Sequence, residues 1–435
     1  MNSFSLKVLR NTKFLNLYKK LICGQDLNLI EREALLKIAV ILLNAGDANT
    51  QELGYRIIVI YSNLFDDYIP LYDLAINKGY IPILKIIENL PKLMPYFTER
   101  FFNMYTSSSA ELYKENDIYL TYQQHELKDF FTAKNAQTVA IIAPTSYGKS
   151  ELIIDSCNRN HNSNICIIVP TKALLAQTRR RLLQGLVNNN KRKIITHPEM
   201  FNSGDSNFIA VLTQERLLRL LRKDFALSFD TVFVDEAHNA LDGDQRSVLL
   251  TKTIALLEDR NKKTAFKFLT PFLVSSQNLK TRYTNYEIEE FKISESIKTE
   301  RYYSINFNSD GILKAYDQYL NVFIPIPEEN YESDIDLISN KMASKNIIYI
   351  NSPPKIEYFS KKLISSMKII DDLDISIACK DLSEYLHKDY ALIDCIKHGF
   401  VYHHGSVPDI VRLYIEPLLS KINSFNDLGR DKSMS

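Results

Sequence analysis

An apolar, β-rich run from Thr138 to Ala143 leads directly into Ala143-Pro144-Thr145-Ser146-Tyr147-Gly148-Lys149-Ser150, and a helical run begins at Glu151. No other feature constrains the chain as strongly as this order of strand, loop and helix. Such a loop turns its backbone N–H groups inward, and the helix N-terminus behind it adds positive potential, so together they cradle phosphate. In that reading Lys149 reaches the β and γ phosphates, the Ser150 hydroxyl ligates Mg²⁺, and Gly148 lets the backbone approach the ligand. The chain has 12 Gly among 435 residues, which adds weight to a glycine placed here. The general pattern wants a glycine where Ala143 stands. A chance Gly-Lys-Ser at a helix start is the competing reading, and the next motif argues against it.

That motif is Phe229-Asp-Thr-Val-Phe-Val-Asp-Glu-Ala-His238, an apolar strand that ends in two carboxylates and a histidine about 85 residues downstream. Asp235, a hard oxygen ligand, is expected to hold Mg²⁺. Glu236 is expected to orient or deprotonate the attacking water, and His238 to couple the nucleotide site to the rest of the molecule. Neighbouring strand residues point to opposite faces, so a turn at the strand end is needed to bring both carboxylates into one cleft.

The rest of the chain fits around these motifs. Residues 1–112 read as helical. Leu27 to Leu43 carries apolar residues at helical spacing around Glu31, Arg32, Glu33 and Lys37, with similar segments at Tyr55 to Leu64 and Tyr80 to Leu90. This stretch shows no chemistry and reads as a helical accessory domain or as a docking domain for a protein partner. From about 113 to 295, β-rich runs alternate with helical ones: Thr138 to Ala143, Ile165 to Val169, Phe208 to Leu212, Thr231 to Val234 and Phe266 to Leu269. That alternation predicts a parallel, doubly wound α/β sheet, which binds ligands at the carboxyl ends of its strands. A second α/β block, 296–435, is expected to place strands at Ile347 to Ile350, Ile375 to Ala378 and Phe400 to Tyr402. Pro325, Pro327, Pro353 and Pro354 are read as loop markers.

Composition narrows the classes further. A formal net charge of +1 gives the molecule no overall field to draw it onto nucleic acid, so any such site is a local patch. The five cysteines have no metal-type spacing, which fits a reducing cytoplasm. Met1 to Lys20 lacks an apolar signal core, and the apolar runs are too short to cross a bilayer.

From about Tyr122 to Glu416 the sequence resembles the superfamily 2 DExH/DEAD-box helicases, which implies RecA-like P-loop NTPase lobes, ATP and Mg²⁺ as ligands, and ATP hydrolysis. Gln123 or Gln124 lies where that family keeps an adenine-contacting glutamine, and either reads equally well as a surface residue. Pro170-Thr171-Lys172-Ala-Leu-Leu-Ala-Gln177 resembles the first nucleic-acid-contacting motif, and Thr213-Gln214-Glu215-Arg-Leu217 the second. In the family these loops grip the sugar–phosphate backbone of a DNA or RNA single strand without reading its sequence. Arg179, Arg180, Arg181 and the run Lys191-Arg-Lys193 lie nearby and read first as solvated helix faces.

Phe400-Val-Tyr-His403-His404-Gly405-Ser-Val-Pro408, with Arg412 and Glu416, resembles the second-lobe segment of a branch that includes exosome-associated RNA helicases and archaeal DNA-repair helicases. Two departures stand out. Most helicases carry glycine where Ser146 stands, and Leu269-Thr-Pro-Phe-Leu273 takes the place of the usual Ser-Ala-Thr. Some helicases of bacterial defence systems look similar at the second position, which suggests a defence or repair role. Beyond Glu416 the family continues with an arginine-bearing motif, of which Gly429-Arg430 is no more than a coincidental remnant. The resemblance therefore implies an ATP-dependent helicase or translocase with a complete first lobe and an incomplete second one. A binding module for ATP and nucleic acid with little turnover is the alternative. A P-loop switch protein, the third, would show guanine preference, and no element for reading guanine is visible.

Overall fold

The computed structural model describes residues 6–93, 101–187, 192–280, 283–295, 297–341, 343, 346–387, 390–402, 404, 407–408, 411 and 414–415. The chain forms two compact units. One is Gly24–Glu300, and the other joins Met1–Cys23 to Arg301–Ser435. The break after Glu300 lies five residues beyond the division at 295 expected from sequence, and no break between units falls at 112. The helices between Leu29 and Ala110 belong with the sheet that follows them, while the short 3-10 helix Leu6–Asn11 and helix Lys13–Ile22 go with the later residues.

The larger unit is α/β around a seven-stranded parallel sheet. Its strands are β1 (Val139–Ile142), β2 (Ile165–Ile168), β3 (Ile194–Ile195), β4 (Ile209–Leu212), β5 (Thr231–Val234), β6 (Ala265–Thr270) and β7 (Glu289–Lys292). Across the sheet they run β3-β4-β2-β5-β6-β1-β7, every neighbouring pair parallel. β1, β2, β4, β5 and β6 are buried along their whole length. Helices cover both faces of a parallel sheet, which is why its strands read as unbroken apolar runs. On one face Ala140, Ile168, Val232 and Phe268 meet Leu217, Leu221 and Ile254 from helices Gln214–Lys223 and Gln245–Arg260. On the other, Ile141, Ile167 and Phe233 meet Phe131, Leu152 and Leu182 from helices Tyr122–Ala133, Lys149–Arg159 and Lys172–Gly185.

One charged residue interrupts β6. Lys267 is fully buried, and its ammonium donates to the Lys134 and Gln137 carbonyls at 2.7 and 2.6 Å over the ring of Phe131. It closes the turn behind helix Tyr122–Ala133, and burial pushes its pKa down to about 8. Ahead of the sheet, helices Leu29–Leu43, Ala48–Phe65, Ile69–Lys78 and Ile81–Glu88 form the helical module. Asn28 and Glu31 start the first of these with a reciprocal capping box.

The smaller unit corrects the reading of the second α/β block. Among its described residues the strands are antiparallel: β8 (Tyr302–Ser304), β9 (Ile312–Asp317) and β10 (Val322–Asn330), with β9 central. Ile347 to Ile350 and Phe400 to Tyr402 form no strand, and Ile375 to Ala378 lies inside helix Leu373–Tyr385. There Ile375, Ala378 and Leu382 are spaced three and four apart and are all buried, so the helical period wins over the short apolar run. Helix Lys13–Ile22 joins this unit through the Tyr18 hydroxyl, which donates to Asp317 at 2.7 Å in a buried position.

Candidate nucleotide and nucleic-acid site

The parallel register aligns the carboxyl ends of the strands. Ile142 pairs with Thr270, and Val234 with both Phe268 and Ile168, so the segments leaving β1, β5, β6 and β2 emerge at one edge. The segment after β1 is the expected phosphate loop, Ala143 to Ser150. Ser146 and Gly148 adopt left-handed conformations, φ +69° and +84°. A loop that alternates in this way turns successive N–H groups to one concave side. A Cβ at Gly148 would meet nothing within 4 Å, so it is the backbone angle that favours glycine. Ser146 takes the same kind of angle without that freedom, at a cost of about 1–2 kcal/mol. This accounts for the preference for glycine at its position.

Lys149 opens helix Lys149–Arg159, and its ammonium folds back onto the Ala143 and Pro144 carbonyls at 2.6 and 3.1 Å. Burial pulls its pKa down, while Glu236 and Asp235 hold it up, so the lysine and the two carboxylates share one electrostatic site. Asp235 follows β5, and its carboxyl accepts from the Glu236 N–H at 3.1 Å. Burial first, and the neighbouring Glu236 second, raise the Asp235 pKa, while Lys149 and Arg181 oppose them. Glu236 sits at φ +51°, and this left-handed residue makes the turn the sequence required.

His238 Nδ1 lies 3.5 Å from Glu236 Oε2 and 3.3 Å from the Thr270 hydroxyl, with its ring 4.6 Å from that of Phe272. The departure Leu269-Thr-Pro-Phe-Leu273 thus keeps a hydroxyl against the histidine. Asp235 and Ser150 suit a hard cation bound together with substrate phosphates. Among the described residues no group of three or more His, Cys, Asp or Glu side chains could hold a metal by itself.

The two glutamines separate. Gln124 is used in the capping box of helix Tyr122–Ala133 with Thr121. Gln123 holds the chain after β7: its Oε1 accepts from the Ser294 and Glu295 amides at 2.9 and 3.4 Å, and its Nε2 donates to Ser294 Oγ at 3.1 Å.

Pro170, Thr171, Lys172 and Gln177 follow β2, and Thr213, Gln214 and Glu215 follow β4. Thr171 and Thr213 both use their hydroxyls as helix N-caps. Arg246, which sequence reasoning missed, joins these two loops. It donates to the Pro170 carbonyl at 2.5 Å and to Glu215 at 3.0 Å. Its partners lie 76 and 31 residues away, so no local pattern announces it. A cavity of about 240 Å³ connects Pro170, Thr171, Gln214 and Arg246 to Asp235.

The basic run near 191 has another use. Arg192 donates to the carbonyls of Cys157, Asn160 and Asn207 at 3.0–3.1 Å, and Lys193 pairs with Asp205 at 2.6 Å. His404 stacks on Tyr402 and faces Glu357 at 3.5 Å. His403, Gly405, Arg412, Glu416, Gly429 and Arg430 lie outside the described residues.

Residues 117–268 match the family described as type III restriction enzyme, res subunit. The matched stretch takes in Lys149, the carboxylate pair and both loops that follow β2 and β4. A curated relative, Anti-bacteriophage protein B of Escherichia coli (strain K12), is 30% identical over 158 residues. That match spans 35% of this chain and 21% of the relative's length. Similar solved structures include a DEAD box protein from the hyperthermophile Methanococcus jannaschii, 19% identical with a TM-score of 0.31 over 40% of this chain and 50% of that one. Another is the Sulfolobus solfataricus SWI2/SNF2 ATPase core in complex with dsDNA, 17% identical with a TM-score of 0.30 over 38% and 35%. No described helix is long and apolar enough to cross a membrane.

Beside the phosphate loop, Glu295 is buried, accepts a hydrogen bond from the Thr121 hydroxyl, and has no partner for Oε2. Burial raises its pKa to about 7, with Thr121 opposing and Glu126 adding to the rise. The folded protein therefore keeps this proton between roughly pH 4.5 and 7 while the unfolded chain loses it, so the group's contribution to stability falls as pH rises through that window. Glu295→Gln cannot ionise. Urea unfolding is expected to show the variant gaining about 1–2 kcal/mol on the parent between pH 5 and pH 8. A difference that does not change with pH would contradict this.

Proposed function

We propose that residues 113–295 form a RecA-like lobe that binds and hydrolyses ATP with Mg²⁺, as the motor of a helicase or translocase on single-stranded DNA or RNA. One observation carries the reading: adjoining ends of one parallel sheet bring Lys149, Asp235, Glu236, His238 and Thr270 into a single site. Lys149 exchanges its two loop carbonyls for the β and γ phosphates. Ser150 and Asp235 are the side chains that would hold Mg²⁺, which neutralises phosphate charge when it is bound. Glu236 orients the attacking water and takes its proton. Thr270 and His238 link that step to the rest of the sheet.

The cavity lined by Asp235, Arg246, Pro170 and Gln214 favours a path from the nucleotide to the two strand-gripping loops. The likeness to Anti-bacteriophage protein B favours a defence role. Backbone gripping makes binding to single strands weak, indifferent to sequence and steeply salt-dependent. Each neutralised phosphate contributes roughly 0.7 to the logarithmic slope. Fluorescence anisotropy with labelled DNA and RNA strands across a salt series is the test, and a flat titration or a sharp sequence preference would refute it.

A further inference from the structure

Four side chains from three separate stretches converge on the segment that leaves β7. Gln123 holds the Ser294 and Glu295 amides, and Thr121 holds the Glu295 carboxyl. The Tyr147 hydroxyl donates to the Glu295 carbonyl at 3.2 Å and accepts from the Ile297 N–H at 3.3 Å. The Ile297 carbonyl in turn accepts from the Tyr55 hydroxyl at 2.8 Å, and Tyr55 stands on helix Ala48–Phe65 of the helical module. Tyr147 is the residue of the phosphate loop between the two left-handed positions Ser146 and Gly148, and it is only 6% exposed. Tyr55 is equally buried, with its ring edge-on to Tyr80 at 5.5 Å.

A phenylalanine would fill either space as well as the tyrosine does. What the hydroxyls add is a backbone tether: phosphate loop to Ile297, and Ile297 to the helical module. Burial keeps both phenols protonated, with Tyr147 pushed up to about 12, so each remains a donor.

We infer that Tyr147 is a positioning residue which fixes the phosphate loop in its binding shape by tying it to Glu295 and Ile297, and that Tyr55 extends this tether to the helical module. The inference rests on the nucleotide-site reading above. A loop already held in its bound shape loses less freedom on binding and so binds more tightly. The helical module then acts on nucleotide affinity from a distance, and nucleotide in the loop restrains the segment after β7.

Two measurements on the full chain test this, with a fluorescent ATP analogue and Mg²⁺ as the probe. Tyr147→Phe is expected to weaken binding roughly tenfold and Tyr55→Phe roughly threefold. The double variant is expected to bind about as tightly as Tyr147→Phe alone, because both act through one tether. In hydrogen exchange at saturating analogue, the peptide 293–300 should be protected in the parent chain and lose that protection in Tyr147→Phe. A packing role alone would leave this protection in place. Lys149→Ala separates the two claims. If it abolishes binding while both tyrosine variants stay within about twofold of the parent, the nucleotide site stands and the tether falls. Exchange at 293–300 that ignores nucleotide, or survives in Tyr147→Phe, also overturns the tether. If the parent chain binds no analogue, the nucleotide site itself is refuted.

Discussion

Lys149→Ala is expected to leave the protein folded and to remove its affinity for Mg²⁺·ATP, with binding weakened by about a hundredfold or more. The side chain places a compact ammonium among the loop's own carbonyls, where it is already partly desolvated. A charged donor on phosphate contributes about 1.5–3 kcal/mol per hydrogen bond, and an ammonium offers three. Nearby, Asp235 and Glu236 add negative charge to the site that receives an anionic ligand. Without Lys149 that field repels the phosphates. Equilibrium titration with a fluorescent ATP analogue reads the effect, and unchanged affinity would sink the assignment of this loop.

The second large effect is expected at Glu236. Replacement by glutamine keeps the size of the side chain and its hydrogen-bonding reach but removes the base. Binding of Mg²⁺·ATP should persist, because Lys149, Ser150 and Asp235 are untouched. Single-turnover hydrolysis should fall by on the order of a hundredfold or more, as for the loss of a general base. The left-handed backbone at Glu236 is a further constraint: a β-branched residue there would disturb the turn as well as the chemistry. Equal single-turnover rates for Glu236→Gln and the parent would refute the role.

The parts of the fold legible in the sequence were those whose cause is local. Five buried strands of the parallel sheet were read to within about a residue at either end, because a strand covered on both faces must be apolar throughout. β3, with two residues, and β7, which reads Glu-Glu-Phe-Lys and is exposed at three of its four positions at the sheet edge, carry no such signal. In the smaller unit the same rule misled. Ile375-Ser-Ile-Ala378 looks like a strand, yet Asp372 caps a helix there and the buried positions follow the helical period. Conversely, Pro325 and Pro327 were read as loop markers and lie within β10, an edge strand, where a missing N–H is tolerated.

The site divides in the same way. Lys149, Asp235, Glu236 and His238 sit in short contiguous motifs, so residue type and spacing alone picked them out. Tyr147 was visible as a member of the loop, but its bonds to Glu295 and Ile297 join residues about 150 apart. Arg246 joins two loops that the sequence keeps apart, and Thr270 meets His238 only because β5 and β6 are neighbours. Gln123, one of two glutamines read as either an adenine contact or a surface residue, bonds Ser294, 171 residues away in the chain.

Phosphate release by the purified 435-residue chain, measured with Mg²⁺·ATP beside its Lys149→Ala and Glu236→Gln variants, tests the central claim most directly. The account predicts release that needs Mg²⁺, disappears in Lys149→Ala along with binding, and disappears in Glu236→Gln while binding remains. Release that continues unchanged in both variants, or a parent chain that neither binds nor hydrolyses ATP, would contradict it.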